Sequence, residues 1–351
     1  MSLNKKNGMR IALDAMGSDE CPAPEIQASI QAAYAYGDEI LLVGPGDQLH
    51  SHLGQLDGSA ANIQIINAPE AITMEDKGLK LALKAKRKKA KNSMAIGVDL
   101  VKNGLADAFI TAGNTGGALA TAFYRLGLVD GLERPALTAL FPVQGGYTVV
   151  LDIGANPDCK PEYLYQFAMM GSIYAQRVLS IKSPRVGLLS NGEEAGKGNQ
   201  LIQESYPLLL SSDLNFIGNV EGKELFGGEV DVVVTDGFTG NVLLKSSEAV
   251  AKLMVDMLRQ ELTSNLRTKI GAGLARPAFS AIRKLLDPSE VGAAPLLGVN
   301  GLVFIGHGRS NDYALVNAIR TARQAVKSNL LDAIRNRIEE QIASLPQVQE
   351  S

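Results

Sequence analysis

Six short stretches combine glycine with Asn, Asp, Ser or Thr, and these residue types are the ones that could do chemistry here. Three are Asp14-Ala15-Met16-Gly17-Ser18-Asp19, Ala112-Gly113-Asn114-Thr115-Gly116-Gly117 and Asp152-Ile153-Gly154-Ala155-Asn156. The others are Ser190-Asn191-Gly192-Glu193-Glu194 with Lys197-Gly198-Asn199, Asp236-Gly237-Phe238-Thr239-Gly240-Asn241, and Gly306-His307-Gly308-Arg309-Ser310-Asn311. Most follow an apolar run and open a helical pattern. A helix start presents unpaired N–H groups and about half a positive charge, and glycine lets backbone approach a ligand closely. Together these make a cradle for phosphate or an oxyanion. Any single turn is as readily a plain helix cap, since Asn114, Thr115 or Asn241 suits that position. Six such turns in one chain favour the anion site.

On that reading Asn114, Thr115, Gly116, Thr239, Gly240 and Asn241 supply donors, and Lys197, Lys245 or Arg309 sets positive charge beside the anion. Asp14, Gly17, Gly113, Asn156, Asp236 and Ser310 complete the candidate binding set. His307, one of three histidines, either orients the anion and moves a proton or merely bonds backbone. His50 and His52 flank one residue with no further ligand nearby, a poor metal site. Asp14, Asp19, Asp152 and Asp236 stand at strand ends, where they cap helices or hold basic side chains rather than bind Mg²⁺. No metal and no cofactor is expected. No GxSxG elbow or GxxxxGK[ST] loop occurs, and Gly44-Pro45-Gly46-Asp47-Gln48-Leu49 only approaches a dinucleotide fingerprint.

The turns need strands and helices to hold them. Continuous apolar runs at 10–15, 39–44, 108–112, 147–152, 185–190, 230–235 and 301–306 read as strands buried on both faces. Helical patterns at 24–36, 116–126, 161–179, 241–262 and 312–328 alternate with them. That alternation predicts a three-layer α/β/α fold around a largely parallel sheet. The chain has 351 residues, 46% of them hydrophobic, enough for one large body over 9–345, perhaps in two lobes. Its net charge of −3 gives no global pull toward nucleic acid. Two cysteines, Cys21 and Cys159, without a CxxC pair suit a reducing compartment. Residues 1–8 are polar and lack a signal-peptide core, so they read as a disordered leader or expression remnant. No apolar run of about 18 residues exists, the minimum for a span; 291–306 comes closest and is broken by glycines.

Two segments stand out by charge. Lys80, Lys84, Lys86, Arg87, Lys88, Lys89 and Lys91 form a basic block, either a solvated helix face or a dock for an acidic partner, with Lys84, Arg87 and Lys88 as its candidates. Residues 262–286 carry no acidic side chain, and Gly271, Gly273 and Pro277 divide the 262–287 excursion into two short helices. Basic residues with Leu274, Phe279 and Ile282 make a helix face for a membrane interface, or alternatively for a second subunit.

Taken in order, the motifs resemble the PlsX family of bacterial acyl-ACP:phosphate acyltransferases from about Met9 to Ala325. The resemblance rests on Asp14-Ala15-Met16-Gly17, Ser93-Met94, Gly113-Asn114-Thr115-Gly116, Leu151-Asp152-Ile153-Gly154-Ala155-Asn156 and Glu193-Glu194 with Lys197-Gly198-Asn199. It continues through Phe216-Ile217-Gly218-Asn219-Val220-Glu221 and Asp236-Gly237-Phe238-Thr239-Gly240-Asn241 with Leu244-Lys245. Ser18 and Gly117 stand where the pattern has Gly and Ala. The resemblance implies a fold like isocitrate/isopropylmalate dehydrogenases and phosphotransacetylases. It implies transfer of a fatty acyl group from acyl carrier protein to inorganic phosphate, giving acyl phosphate for phospholipid synthesis. It further implies a homodimer, with a downstream glycerol-3-phosphate acyltransferase as a further partner; the cysteine usage and the 262–287 face add the expectation of a cytoplasmic protein in peripheral membrane contact. Phosphate is then the nucleophile, Lys197, Asn241 and His307 are the catalytic candidates, and His307 would protonate the leaving thiol. An enzyme of another class on the same fold, such as a decarboxylating dehydrogenase, needs a metal carboxylate set and an adenine site, neither visible in the sequence. A non-catalytic membrane-associated scaffold has no need of a phosphate cradle.

Overall fold

A computed structural model describes residues 8–55, 62–87, 89 and 91–344. The leader up to residue 7, Lys88 and the tail from 345 lie outside the described residues. The first strands are β1 (Arg10–Asp14), β2 (Glu39–Gly44), β3 (Ile63–Asn67), β4 (Ala108–Thr111), β5 (Ala136–Val143) and β6 (Gly146–Leu151). They continue with β7 (Val186–Leu189), β8 (Phe216–Val220), β9 (Val232–Val234), β10 (Ala294–Leu297) and β11 (Val303–Ile305). Early helices are α1 (Ala23–Tyr36), α2 (Gly46–Gln55), α3 (Gly78–Lys86), α4 (Ser93–Lys102), α5 (Thr115–Leu126), α6 (Pro161–Arg177) and α7 (Gln200–Leu210). The remainder are α8 (Gly222–Gly227), α9 (Gly237–Leu262), α10 (Leu266–Leu274), α11 (Arg276–Leu286), α12 (Asp312–Lys327) and α13 (Leu330–Ser344).

All eleven strands form one sheet in the order β3-β2-β1-β4-β11-β10-β5-β6-β9-β7-β8. Ile11, Leu13, Ile40, Leu42, Val149 and Val232 are wholly buried because helices cover both faces. One face packs on α1, α6, α12 and α13, with Ile26, Phe167, Ile319 and Ile334 inside; the other packs on α4, α5 and α8, with Met94, Ala118 and Leu225 inside. Each such side chain contributes about 1.5–3 kcal/mol by leaving water.

The expected three-layer α/β/α fold is therefore present. The sheet is largely parallel within each half, but the halves run oppositely. β3, β2, β1, β4 and β11 are parallel neighbours; β10 is antiparallel to both β11 and β5, and β5 is antiparallel to β6. β6, β9, β7 and β8 are again parallel. The apolar stretch 291–306 is thus a strand pair, β10 and β11, in the middle of the sheet.

α9 begins against the sheet and leaves it. Its 26 residues bury only Gly237 and Gly240, and α10 and α11 bury none. The excursion splits as expected, at Ala275 with Pro277 in the first turn of α11, where its missing N–H costs nothing. Gly271 and Gly273 lie inside α10. Leu274 is 83% and Ile282 51% exposed; Phe279 is half-buried. Among the described residues no helix is long and apolar enough to cross a membrane.

Candidate active site

β1 and β4 lie side by side, so the loops that follow them meet. Asp14 Oδ2 accepts from the Thr111 hydroxyl (2.7 Å) and Oδ1 from the Met16 amide (3.1 Å). The side chain is buried, and desolvation raises its pKa despite these donors. Asp14 therefore shapes the first turn rather than meeting an anion. Gly17 serves close approach: a Cβ there would come within 2.8 Å of the Ala112 nitrogen. Asn114 Oδ1 accepts from the Gly117 amide (2.9 Å), and its Nδ2 donates to the Thr73 (3.0 Å) and Asp76 (3.2 Å) carbonyls. The Gly113 amide donates to the Thr111 hydroxyl (3.1 Å). This leaves the first-turn amides of Thr115 and Gly116, which have no intrahelical acceptor, as the donors at the start of α5.

The turns of the second half are closed on themselves. Asp152 Oδ1 accepts from the amides of Leu137 (3.0 Å), Gly154 (3.1 Å) and Ala155 (3.0 Å). Its Oδ2 accepts from the Asn156 amide (2.6 Å) and Nδ2 (2.9 Å), and Asn156 Nδ2 also donates to the Pro135 carbonyl (2.7 Å). Asp236 Oδ1 accepts from the Thr239 amide (2.8 Å) and Oδ2 from the Thr239 hydroxyl (2.7 Å). A Cβ on Gly240 would collide with the Asp152 carbonyl oxygen. Asn156, Asp236, Thr239 and Gly240, expected around an anion, instead lock α9 to the end of β6. Around Asn156 the buried Asp152 carboxylate claims the nearby amides, and at the start of α9 Asp236 claims that of Thr239.

The two halves still meet. A cavity of about 180 Å³ is lined by Thr115, Gly306 and His307 from the first set of turns and by Ile153, Asn241 and Lys245 from the second. Leu137, Thr138, Ala139 and Leu140 of β5 form its floor. The pairing register explains the meeting: β11 ends level with Ala294 of β10 and β6 ends opposite Thr138 of β5, so the turns of the two halves come together at one level of the seam. Asn241 is held by its Nδ2, which donates to the Ile153 carbonyl (3.1 Å). Lys245 Nζ lies 3.1 Å from Glu248 Oε2, and His307 Nε2 lies 3.6 Å from Glu248 Oε1. Burial lowers the His307 pKa from 6.5; Glu248 opposes this, while Lys245 and Arg309 reinforce it. The imidazole is neutral at pH 7.

Other expected residues are placed elsewhere. Ser310 is buried behind the site, its amide donating to the His307 carbonyl (2.9 Å). Arg309 lines a neighbouring cleft of about 390 Å³ with Lys252 and Arg283. Lys197 is exposed on the 190–199 loop and does not line the cavity. Lys84 Nζ is bonded to Asp76 (2.6 Å), and Lys80 and Lys84 together hold the Asp76 carboxyl well below the usual range. Arg87 faces Glu70 at 3.4 Å. Both candidate docking residues are thus engaged within the fold, and Lys88 lies outside the described residues. Burial pushes the Cys159 thiol up to about 12, so it offers no thiolate nucleophile. Among the described residues one acidic trio, Glu193, Glu221 and Glu224, is close enough to share a cation, and Lys223 already lies within it. The residue missed by sequence reasoning is Glu248. Its signal was the spacing Lys245-Glu248-Lys252, three and four residues apart along one helix face.

Residues 9–333 match the family described as "Fatty acid synthesis protein". A phosphate acyltransferase of Acidobacterium capsulatum is 49% identical over 315 residues, covering 90% of this chain and 92% of its own length. One from Elusimicrobium minutum is 45% identical, covering 95% and 96% respectively. The chain belongs to the PlsX family of phosphate acyltransferases. It is an acyltransferase. The fold is shared more widely. The EutD phosphotransacetylase of Staphylococcus aureus superposes with TM-score 0.59 at 16% identity, over 92% of this chain and 94% of that one. A 4-hydroxythreonine-4-phosphate dehydrogenase of Klebsiella pneumoniae superposes with TM-score 0.53 at 14% identity, over 92% and 99%. The dehydrogenase-like architecture expected from the sequence is thus present.

Proposed function

We propose that the chain transfers a fatty acyl group from the thioester of an acyl carrier protein to inorganic phosphate, giving acyl phosphate for phospholipid synthesis. The observation that carries this reading is the seam cavity, where Lys245, Glu248 and His307 stand opposite the open start of α5. Phosphate is held by the Lys245 charge and the amides of Thr115 and Gly116. One of its oxygens attacks the carbonyl carbon, forming the C–O bond as the C–S bond breaks. Neutral His307 takes the phosphate O–H proton, Glu248 steadies the resulting imidazolium, and that proton passes to the departing thiolate. Asn241 donates to the developing oxyanion. No residue of the protein becomes acylated.

The acidic carrier approaches over the cleft of Lys252, Arg283 and Arg309, which adjoins the cavity; the engaged Lys84 and Arg87 are less suited. The exposed apolar side chains of α10 and α11 provide the peripheral membrane contact of a cytoplasmic homodimer, from which a glycerol-3-phosphate acyltransferase takes the product. Purified protein incubated with acyl carrier and phosphate should form acyl phosphate, trapped as a hydroxamate. Lys245→Ala should lower kcat/KM by about 10²–10³, the range for removing one electrostatic donor. No acyl phosphate from the wild type would refute the reading.

A further inference from the structure

The seam cavity is not closed on its outer side. Its lining residues Leu140, Leu244, Glu248, Pro288 and Val291 also line a second cavity of about 160 Å³. That second space lies between the β5–β6 hairpin, α8, α9 and α11, and its walls are Phe141, Tyr147, Phe226, Leu244, Leu285 and Leu286. The Phe141 and Phe226 rings stand 6.0 Å apart between centroids and make an aromatic floor. Phe226 is 43%, Leu285 48% and Leu286 38% exposed, so apolar surface is left in contact with solvent. Polar groups along the far lip already have partners. Asp287 Oδ1 accepts from the Ser289 amide (2.9 Å), and Glu290 Oε1 accepts from the Tyr313 hydroxyl (2.6 Å).

We infer that this groove holds the hydrocarbon chain of the acyl donor, running from the reaction cavity under α11. The inference rests on the acyl-transfer reading above. A carbonyl carbon placed beside Lys245 and His307 has an apolar way out over the shared Leu140, Leu244 and Pro288, and it leads into the groove. A docked helix or a second copy of the chain could cover the outer lip but would not reach the reaction cavity. Each methylene taken from water into the groove tightens binding about fourfold. The groove therefore favours donors whose chain is long enough to fill it.

Ala251 lines the groove from α9, where a larger side chain is compatible with the helix. The wild-type protein and Ala251→Phe are compared with butyryl-, octanoyl- and palmitoyl-carrier donors. The palmitoyl-to-butyryl ratio of kcat/KM should fall about tenfold or more in the variant, the effect of displacing about two methylenes. A palmitoyl donor with a diazirine at its chain end should label wild-type peptides containing Phe226 or Leu285-Leu286, a readout that does not depend on the variant folding. An unchanged ratio with turnover intact, or labelling confined to α10, overturns the groove and leaves acyl transfer standing. Absence of acyl phosphate from every donor removes the acyl-transfer reading and the groove with it.

Discussion

His307 and Glu25 show how burial sets what one side chain can do. Desolvation holds the His307 pKa below 6.5, with Glu248 pulling the other way. Proton acceptance needs the neutral ring, so kcat/KM should fall as pH drops through that lowered pKa. His307→Asn should lower kcat/KM about 10²-fold and abolish this acid limb. Glu248→Gln removes the group that raises the pKa and should move the limb to still lower pH. A pH–rate profile checks both, and a limb that persists in His307→Asn assigns it to another group. Glu25 is buried beneath the first glycine turn; its Oε1 accepts from the Ser18 amide (2.9 Å), and its other oxygen has no partner. Burial pushes it from 4.5 up to about 7. The folded state therefore keeps a proton that the unfolded state releases, and stability declines as pH rises from 4.5 to 7. The loss is about 3 kcal/mol at full effect. Glu25→Gln should flatten this dependence and raise Tm at pH 8 by a few degrees; a lower Tm than wild type there would show that the unpartnered oxygen is satisfied in solution.

At the scale of elements, the glycine turns divide into one that stays open and others that are closed by packing. Gly240 lies where α9 passes over the Asp152 carbonyl. Gly240→Ala should destabilise by about 1–3 kcal/mol, the usual cost of overpacking, and depress activity by displacing Asn241 and Lys245. Thermal melts should show the loss, whereas an anion-binding role alone would leave Tm near wild type. This division was not legible in the sequence, because Asn114, Asn156 and Asp236 read alike as small polar residues beside glycine. What separates them is whether a buried carboxylate such as Asp152 claims their amides, which depends on β5 returning its Leu137 amide from 15 residues away. The buried parallel strands were legible, because the centres of runs such as 39–44 (Ile40 to Val43) and 147–152 (Val149 to Leu151) are apolar at every position. β3 was not, since Gln64 and Asn67 interrupt its apolar run at the sheet edge, nor was β5, which carries Pro142. The split between α10 and α11 was legible from Pro277, and the exposure of Leu274 agrees with an outward apolar face. The double change Leu274→Glu/Phe279→Glu should abolish flotation with anionic vesicles; equal flotation of wild type and variant would return this face to a subunit interface.

For the whole molecule, the reversal of the sheet is what makes a site. Six turns on uniformly parallel strands would all open on one edge. Here β10 and β5 turn the second half over, so Asn241 and Lys245 face Thr115 and His307 across the seam. The seam also gathers surface charge in a chain whose net charge is only −3. Lys252 of α9, Arg283 of α11 and Arg309 of the turn after β11 border one cleft beside the reaction cavity, where they outnumber Glu248 and Asp287. Local fields of this kind steer an acidic partner even when the molecule as a whole does not. Lys252→Glu/Arg283→Glu should raise KM for the acyl carrier about tenfold at low ionic strength. The difference should shrink toward 0.5 M salt, where screening acts within about 4 Å. Lys84→Glu should behave differently: it removes the less exposed of the two lysines that hold buried Asp76 and weakens the anchor of the 73–76 loop on Asn114, so it should lower Tm. Steady-state kinetics across a salt series separates the two cases. If the Lys84 variant shows the salt-dependent KM and the Lys252/Arg283 variant does not, the carrier docks over α3 after all, and the thioester must reach the seam past the start of α5.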